Sequence, residues 1–292
     1  MRIFVTGGGG FIGSHLLPLL ALGNHQVLCL SHAASIGNLS AALSTIQGDL
    51  STPESYAAEL ERFKPESCIH LAWGGLPDYS IENCCLNLLA GIKLFEMLGQ
   101  VGCRKIIALG TCWEYGKHIG AVKEDDQGIE PNMFGAFKTA LHTIGQSNCM
   151  ATESRFIWAR PFFVYGPGQR LSSLIPSCYG SLKLGEVPKI TSPLAVNDFI
   201  HVADVAAAIR VLVEADEVAG IYNIGSGHPT AVWQVANLIA VRMGIPPVYH
   251  DLPAAAPGFW ADIAKTRLLG WQPEISLEAG IAQTLQALET DQ

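Results

Sequence analysis

Charge is scarce in this chain. Only 15% of its 292 residues are Asp, Glu, Lys or Arg, and the balance of −8 at pH 7 is mildly acidic. No block of Lys and Arg stands out, so the electrostatic footprint of a nucleic-acid surface is missing and no nucleic-acid partner is expected. An acidic chain that takes a phosphate-bearing ligand must hold it locally, with backbone N–H groups and a few cations. Long apolar runs are also absent: Leu16 to Leu22 is interrupted by Pro18, well short of a membrane span, so no membrane association is expected. No secretory leader is expected either, because the N-terminus runs straight into a strand-like segment. The eight cysteines form no C-x-x-C pair and show no Cys/His metal spacing, which predicts reduced thiols, no metal site and a cytoplasmic protein.

Apolar residues are plentiful, at 49% of the chain, enough for a sizeable core. Short apolar runs at Arg2–Thr6, Gln26–Leu30, Ser44–Gln47, Ser67–Leu71, Lys105–Leu109 and Arg155–Ala159 read as buried strands. Amphipathic helices lie between them, clearest at Ile81–Gly99 and Phe134–Met150. Such alternation predicts a doubly wound α/β fold, a parallel Rossmann sheet with helices on both faces. Beyond Arg160 the pattern becomes irregular and rich in Pro and Gly. It then returns to one strand, Gly220–Ile224, with helices at Asp204–Ala215 and Thr230–Met243. From about His250 the chain reads as loop, short helix and a final helix from Leu277. The expected architecture is a Rossmann domain (residues 1–165 with roughly 196–225) and a smaller interleaved C-terminal substrate lobe (166–195 and 226–292).

Thr6-Gly7-Gly8-Gly9-Gly10-Phe11-Ile12-Gly13 follows a strand and opens a helix. Glycines in that setting let the main chain approach a pyrophosphate, which rests on the positive helix N-terminus. This predicts a nicotinamide dinucleotide, with Gly7, Gly10, Phe11, Ile12 and Gly13 around it. Dinucleotide sites read the ribose at the end of the second strand. Here Val27–Leu30 runs into Ser31-His32-Ala33-Ala34, with neither the acid that suits NAD nor the Arg that suits NADP. Ser31 can donate to a phosphate and His32 adds partial positive charge, so NADP(H) is favoured over NAD(H). Asp49-Leu50, after the third strand, either touches the adenine or supplies an acid at a helix N-terminus before Ser51-Thr52-Pro53.

In ordered succession these segments resemble the extended short-chain dehydrogenase/reductase family that acts on nucleotide sugars. The resemblance is carried by Thr6-Gly-x-x-Gly-x-x-Gly13, Asp49-Leu50, His70-Leu71-Ala72, Asn87 and Gly110-Thr111-Cys112-Trp113-Glu114-Tyr115-Gly116. It continues through Arg160-Pro161…Tyr165-Gly166-Pro167-Gly168, Asp198-Phe199-Ile200-His201, Tyr222-Asn223-Ile224-Gly225 and Leu269-Gly270-Trp271. It implies cofactor contacts from Asp49, Leu50, Leu71 and Ala72, a nucleotide-diphosphate sugar as substrate, and a homodimer built on Ile81–Gly99 and Phe134–Met150. It also implies a catalytic Ser/Thr, Tyr and Lys, the last two spaced Tyr-x-x-x-Lys so that both lie on one helical face. Thr111 and Lys138 match; Lys138 would also bind the nicotinamide ribose.

The Tyr position is occupied by Phe134, which has no hydroxyl to donate or accept a proton. Three explanations compete: an engineered Tyr→Phe chain, a natural enzyme with another acid, and a non-catalytic binder. The isolated, isosteric loss favours engineering. Glu114 either faces the sugar or points to solvent, and Tyr115 belongs to the following turn. In the family's dehydratases an Asp-Glu pair follows the Thr; here Cys112-Trp113 stand there, which argues against a 4,6-dehydratase. What remains is reduction of a nucleotide-linked 4-keto-6-deoxy sugar at C4, the expected reaction. The alternatives are a 4-epimerase and a regulatory protein that binds nucleotide sugars without chemistry. Substrate contacts are expected from Trp73, Thr111, Phe163 and Arg170, with Lys183 and Lys189 as further cations and Tyr79 and Trp260 as stacking candidates. Phe163 and Asn197 stand where many relatives carry Asn and Arg. His201 and Asp204 read as residues that serve the fold.

Overall fold

Strands with apolar residues on both faces and helices with one apolar face can be satisfied together only by a covered parallel sheet, and the chain builds one. A computed structural model describes residues 1–23, 25–32, 43–250, 252, 254 and 256–290. Ala33 and Ala34 of the expected ribose-reading loop lie outside the described residues, as do Asp251, Pro253 and Ala255 of the loop expected after His250. The first half of the chain runs β1 (Arg2–Thr6), α1 (Phe11–Leu22), β2 (Gln26–Ser31), β3 (Leu43–Gln47), α2 (Ala57–Phe63), β4 (Ser67–His70), α3 (Ile81–Gln100), β5 (Lys105–Leu109), β6 (Gly120–Val122) and α4 (Met133–Ala151). Then follow β7 (Arg155–Pro161), β8 (Phe163–Tyr165), α5 (Leu174–Lys183), β9 (Val196–His201), α6 (Val202–Glu214) and β10 (Gly220–Ile224). The last elements are β11 (Pro229–Ala231), α7 (Val232–Arg242), β12 (Phe259–Ala261), α8 (Ala264–Arg267) and α9 (Leu277–Thr290).

Seven strands form one sheet in the order β10-β7-β5-β4-β1-β2-β3, each neighbouring pair parallel. Alternate side chains serve opposite faces. Ile3 and Val5 of β1, with Ile157 and Ala159 of β7, join the core beneath α1 and α6. Phe4, Phe156 and Trp158 join the core beneath α2, α3 and α4. The order reverses between β1 and β4, whose ends are in register at Thr6 and His70. A crevice opens at such a switch point, outside the carboxyl ends of the strands. The Thr6 hydroxyl and His70 Nδ1 are bonded there at 2.8 Å. Pro18 does not end its helix: α1 runs through it to Leu22.

A second core gathers α5, α7 and α9 around Phe199, Val235, Ile239 and Ile281. Its three-stranded sheet, β11-β9-β8, takes in residues 196–201, whereas α6 and β10 go with the large sheet. The helix expected from Thr230 begins at Val232, because Thr230 is held in β11 against Asn197. A buried carboxylate ties these parts together. Asp198 accepts from Ser226 N at 2.7 Å, Ser226 Oγ at 2.6 Å, Gly227 N at 2.9 Å and Ala261 N at 3.1 Å. With the acceptor removed, three backbone N–H groups would be left without it. Asp198→Ala is therefore expected to lower the unfolding free energy by about 3 kcal/mol, read as a lower urea midpoint with an unchanged slope.

Candidate active site

The crevice begins at the glycine turn. Gly7 has φ +74°, and a Cβ there would stand 2.7 Å from the Ala72 amide nitrogen, so only glycine lets the turn lie against the β4 end. A Cβ on Gly13 would strike the Gly7 carbonyl and the Gly8 backbone, so α1 starts flush with the turn. Its N-terminus thus faces open space without an intervening side chain. A cleft of about 770 Å³ is lined there by Gly7, Gly10, Phe11, Ile12 and Gly13. It extends past His32, Asp49 and Leu50 at one end, along Leu71, Ala72 and Trp73, to Thr111, Phe134, Lys138 and Arg170 at the other. Ser31 lines an adjoining recess of about 440 Å³ with His32 and Gly48. His32 Nδ1 lies 4.0 Å from an Asp49 carboxylate oxygen, both side chains exposed. Asp49 does not cap α2. It closes a turn on Ser51, whose hydroxyl and amide donate to it at 2.7 and 2.8 Å and hold its carboxyl below the usual range.

Thr111 stands at the end of β5, as the sequence predicts, and begins a short 3₁₀ turn, Cys112–Tyr115. Its Oγ1 accepts from Trp113 N at 3.3 Å, and its hydroxyl lies within hydrogen-bond reach of the Cys112 thiol. Asn132 caps α4 by accepting from Gly135 N at 2.8 Å. At Gly135 a Cβ would stand 2.5 Å from the Trp113 carbonyl oxygen, so glycine allows α4 to start against that turn. The helix then presents Phe134 and Lys138 on one face. The Phe134 ring is edge-on to Trp73 at 5.2 Å and to Trp113 at 5.8 Å, and tilted against Tyr79 at 5.2 Å. Lys138 is 4% exposed; its ammonium donates to the Leu109 carbonyl at 2.7 Å and lies 4.2 Å over the Trp73 ring. Burial pushes the Lys138 ammonium down to about 7, against the opposing pull of Glu114 and Cys84. His70, beneath the turn, is pushed down to about 3 by burial and by Lys138, so it is neutral.

Several expectations are corrected. Glu114 faces neither sugar nor solvent: it is buried, accepting from Thr111 N at 2.8 Å, Trp158 Nε1 at 3.0 Å and Arg160 Nε at 2.8 Å. Burial pushes its carboxyl up, and the Arg160 guanidinium pulls it back. Phe163 does not line the cleft. Strand alternation turns its neighbour Val164 there, while Phe163 packs on Phe199 at 6.0 Å. Lys183 and Lys189 are not among the cleft residues, and Trp260 lines a separate recess beside Ser226 and Arg267. Tyr115 is buried away from the cleft and donates to Asn223 Oδ1 at 2.7 Å. His201 and Asp204 serve the fold, as expected: His201 caps α6, and Asp204 accepts from Glu274 N and Ile275 N, each at 3.1 Å.

The loop after β4 also lines the cleft, through Gly74 and Gly75, and is held by two asparagines. Asn87 accepts from Gly74 N at 2.6 Å and donates to Gly74 O at 3.1 Å, and Asn83 donates to the same carbonyl at 3.0 Å. Asn83 was not anticipated from the sequence, although its four-residue spacing from Asn87 puts both on one helical face. Gln169 and Ser173, beside Arg170, complete the far wall, and no sequence pattern marked them.

The model of the NAD dependent epimerase/dehydratase family matches residues 3–225. A UDP-glucose 4-epimerase of Mycolicibacterium smegmatis is 28% identical over 98% of this chain and 98% of the relative. A dTDP-4-dehydro-6-deoxyglucose reductase of Escherichia coli is 26% identical over 98% and 97%. Among solved structures, MoeE5 in complex with UDP-glucuronic acid and NAD superposes with a TM-score of 0.87 at 25% identity, covering 100% of both chains. With a family match across most of the chain and the glycine turn, Thr111 and Lys138 gathered in one cleft, the protein belongs to the NAD dependent epimerase/dehydratase family.

Proposed function

We propose that this protein reduces the C4 ketone of a nucleotide-linked 4-keto-6-deoxy sugar, using NADPH. The observation that carries the reading is the meeting of Thr111 and Lys138 in the cleft that starts at the glycine turn, with Cys112 and Trp113 following Thr111 in place of two acids. The cradle fits a dinucleotide: a Cβ on Gly7 or Gly13 would strike the Ala72 or the Gly7–Gly8 backbone, so glycine keeps the turn tight and leaves the α1 N-terminus bare toward the cleft. When bound, the reduced nicotinamide supplies hydride. Thr111 donates its hydroxyl proton in a hydrogen bond to the carbonyl oxygen and polarises it. Lys138 binds the nicotinamide ribose, and Trp73 walls the reacting centre, with Tyr79 and Trp113 packed behind Phe134. The lobe of residues 166–195 and 226–292 takes the nucleotide, with Arg170 toward its phosphates. The neighbouring pair Ser31 and His32 favours the 2′-phosphate of NADP, while Asp49 beside His32 limits that preference. Eight free thiols suit a reducing compartment, and we assign the protein to the cytoplasm. Among the described residues no helix is long and apolar enough to cross a membrane. Two copies are expected to pair through α3 and α4, which keep Leu89 57% and Met150 75% exposed.

A 4-epimerase is the second reading, favoured by the NAD held in MoeE5 and by the 28% identity to a UDP-glucose 4-epimerase. One experiment separates the readings: incubate the chain and its Phe134→Tyr variant with NADPH and nucleotide-linked 4-keto-6-deoxy sugars. Phe134→Tyr should oxidise NADPH faster than the unaltered chain, because a phenol at that position adds the usual proton donor. NAD that survives purification, with sugar inverted at C4 and no net consumption, would make the protein an epimerase. Ligand binding without turnover in either form would make it a binder.

His32→Ala is expected to raise the KM for NADPH by about 5–10-fold and to leave that for NADH within about twofold, as loss of one charge-assisted hydrogen bond requires. Equal effects on both cofactors would remove the case for NADP. Leu89→Glu should convert a dimer to monomers in light scattering, by placing a charge in the apolar contact.

A further inference from the structure

With a phenyl ring at residue 134, reduction lacks its usual proton source. Among the described residues lining the cleft, the side chains that titrate or carry charge are His32, Asp49, Lys138 and Arg170. His32 and Asp49 stand together at the far end, beside the end of β2. Arg170 carries a guanidinium, a group that does not act as a general acid. Only Lys138 stands beside Thr111. Its ammonium has three N–H donors but makes one hydrogen bond among the described residues, to Leu109 O. The Trp73 ring covers one side of it, and the remaining donors border the cleft. A buried ammonium with unused donors is costly unless a ligand takes them.

We propose that Lys138 is the proton donor for carbonyl reduction in this chain, the task that a tyrosine at position 134 would otherwise perform. The inference rests on the ketoreductase reading. As hydride from the reduced nicotinamide forms the new C–H bond, the carbonyl π pair moves onto oxygen. That oxygen, oriented by the Thr111 hydroxyl, takes a proton from the Lys138 ammonium. The N–H bond breaks, its electron pair stays on nitrogen, and the neutral amine is reprotonated from solvent. The carbonyl is reduced and the nicotinamide oxidised.

The surroundings suit an ammonium that gives up its proton near neutrality. Burial under Trp73 and Phe134 works against the charge, and the groups facing it are few: neutral His70 from β4, the Cys84 thiol from α3, and Glu114 from the turn after β5, already engaged by Arg160. A lysine whose charged form is disfavoured is a stronger acid, and general acids work best with a pKa close to the working pH. The sign follows directly: the ammonium is the acid, so reduction is fast below its pKa and slows above it, while oxidation of the alcohol does the reverse.

Single-turnover reduction by the unaltered chain should fall about tenfold per pH unit above about 7. Lys138→Met should lose about 100-fold or more in that step. Added methylamine should restore at least about tenfold of this in Lys138→Met and nothing in the unaltered chain. Independently of turnover, ε-¹³C-lysine NMR of the ligand-free protein should show one resonance titrating near pH 7 that is absent from Lys138→Met. Cofactor fluorescence titration of the same variant separates lost binding from lost proton transfer. Tyr79 is the rival donor: reduction that Tyr79→Phe abolishes and that shows no pH limb between about 6 and 9 would overturn the proposal, as would a lysine spectrum with no titration below pH 9. If Phe134→Tyr reduces the ketone but the unaltered chain does so at no pH, Lys138 fails and the ketoreductase reading stands. If neither form reduces it, both fall together.

Discussion

Much of the cleft wall around Thr111 hangs on one buried carboxylate. Glu114 turns back under the end of β5 and accepts from the Thr111 amide, the Trp158 indole and the Arg160 guanidinium. Those bonds bend the chain out of the sheet at Gly110, where no side chain would fit against Trp158 and Glu114. Thr111 is thereby left at the rim of the cleft. The same turn presents the Trp113 carbonyl to Gly135, which sets how closely α4 approaches and so where Phe134 and Lys138 stand. A buried ion pair is weak evidence for stability, because desolvation offsets most of its attraction. Its value here is registry. An unpaired Arg160 or an unbonded Thr111 amide would let the turn relax, and two of the residues that face the ligand would move with it.

The parts of this arrangement that are local in sequence were legible there. The glycine turn, the alternating strands and the four-residue interval between Phe134 and Lys138 each depend on residues within one element. Thr111 and Glu114 even carry a capping-box signature, a Thr followed three residues later by Glu, which predicts their reciprocal bonds. Glu114 was misread because Trp158 and Arg160 lie more than forty residues further on, and only β5–β7 pairing brings them beneath it. Phe163 was misread for a related reason: a three-residue strand offers too few alternations to show which face is apolar, so its pairing with β9 decides. The β11 start that delays α7, and the hold of Asp198 on Ser226 and Ala261, are likewise long-range pairings with no local trace.

The cleft divides its work between backbone and side chains. At the dinucleotide end, what matters is the absence of side chains: Gly7 and Gly13 leave room, and the amides of the α1 N-terminus provide the polarity. At the reacting end the reverse holds. Thr111, Phe134, Lys138 and Trp73 present a hydroxyl, aromatic faces and an ammonium to the cleft, and the bearing of each depends on its neighbours.

On the proposed reading, hydride and proton come under separate control. The path of hydride follows from where the dinucleotide lies, which the sheet and the glycine turn determine. The path of the proton follows from α4 and the loop after β4, and from the aromatic rings between them. Replacing a phenol by a phenyl ring at residue 134 alters the second path without disturbing the first, since the ring still fills the space among Trp73, Tyr79 and Trp113. The consequence falls on Lys138. With a phenol beside it, an ammonium serves mainly to favour the phenolate; with a phenyl ring beside it, the same ammonium is the nearest acid and sits in a drier place. If Lys138 is the donor, as proposed, one oxygen atom decides which residue sets the pH dependence of the reaction.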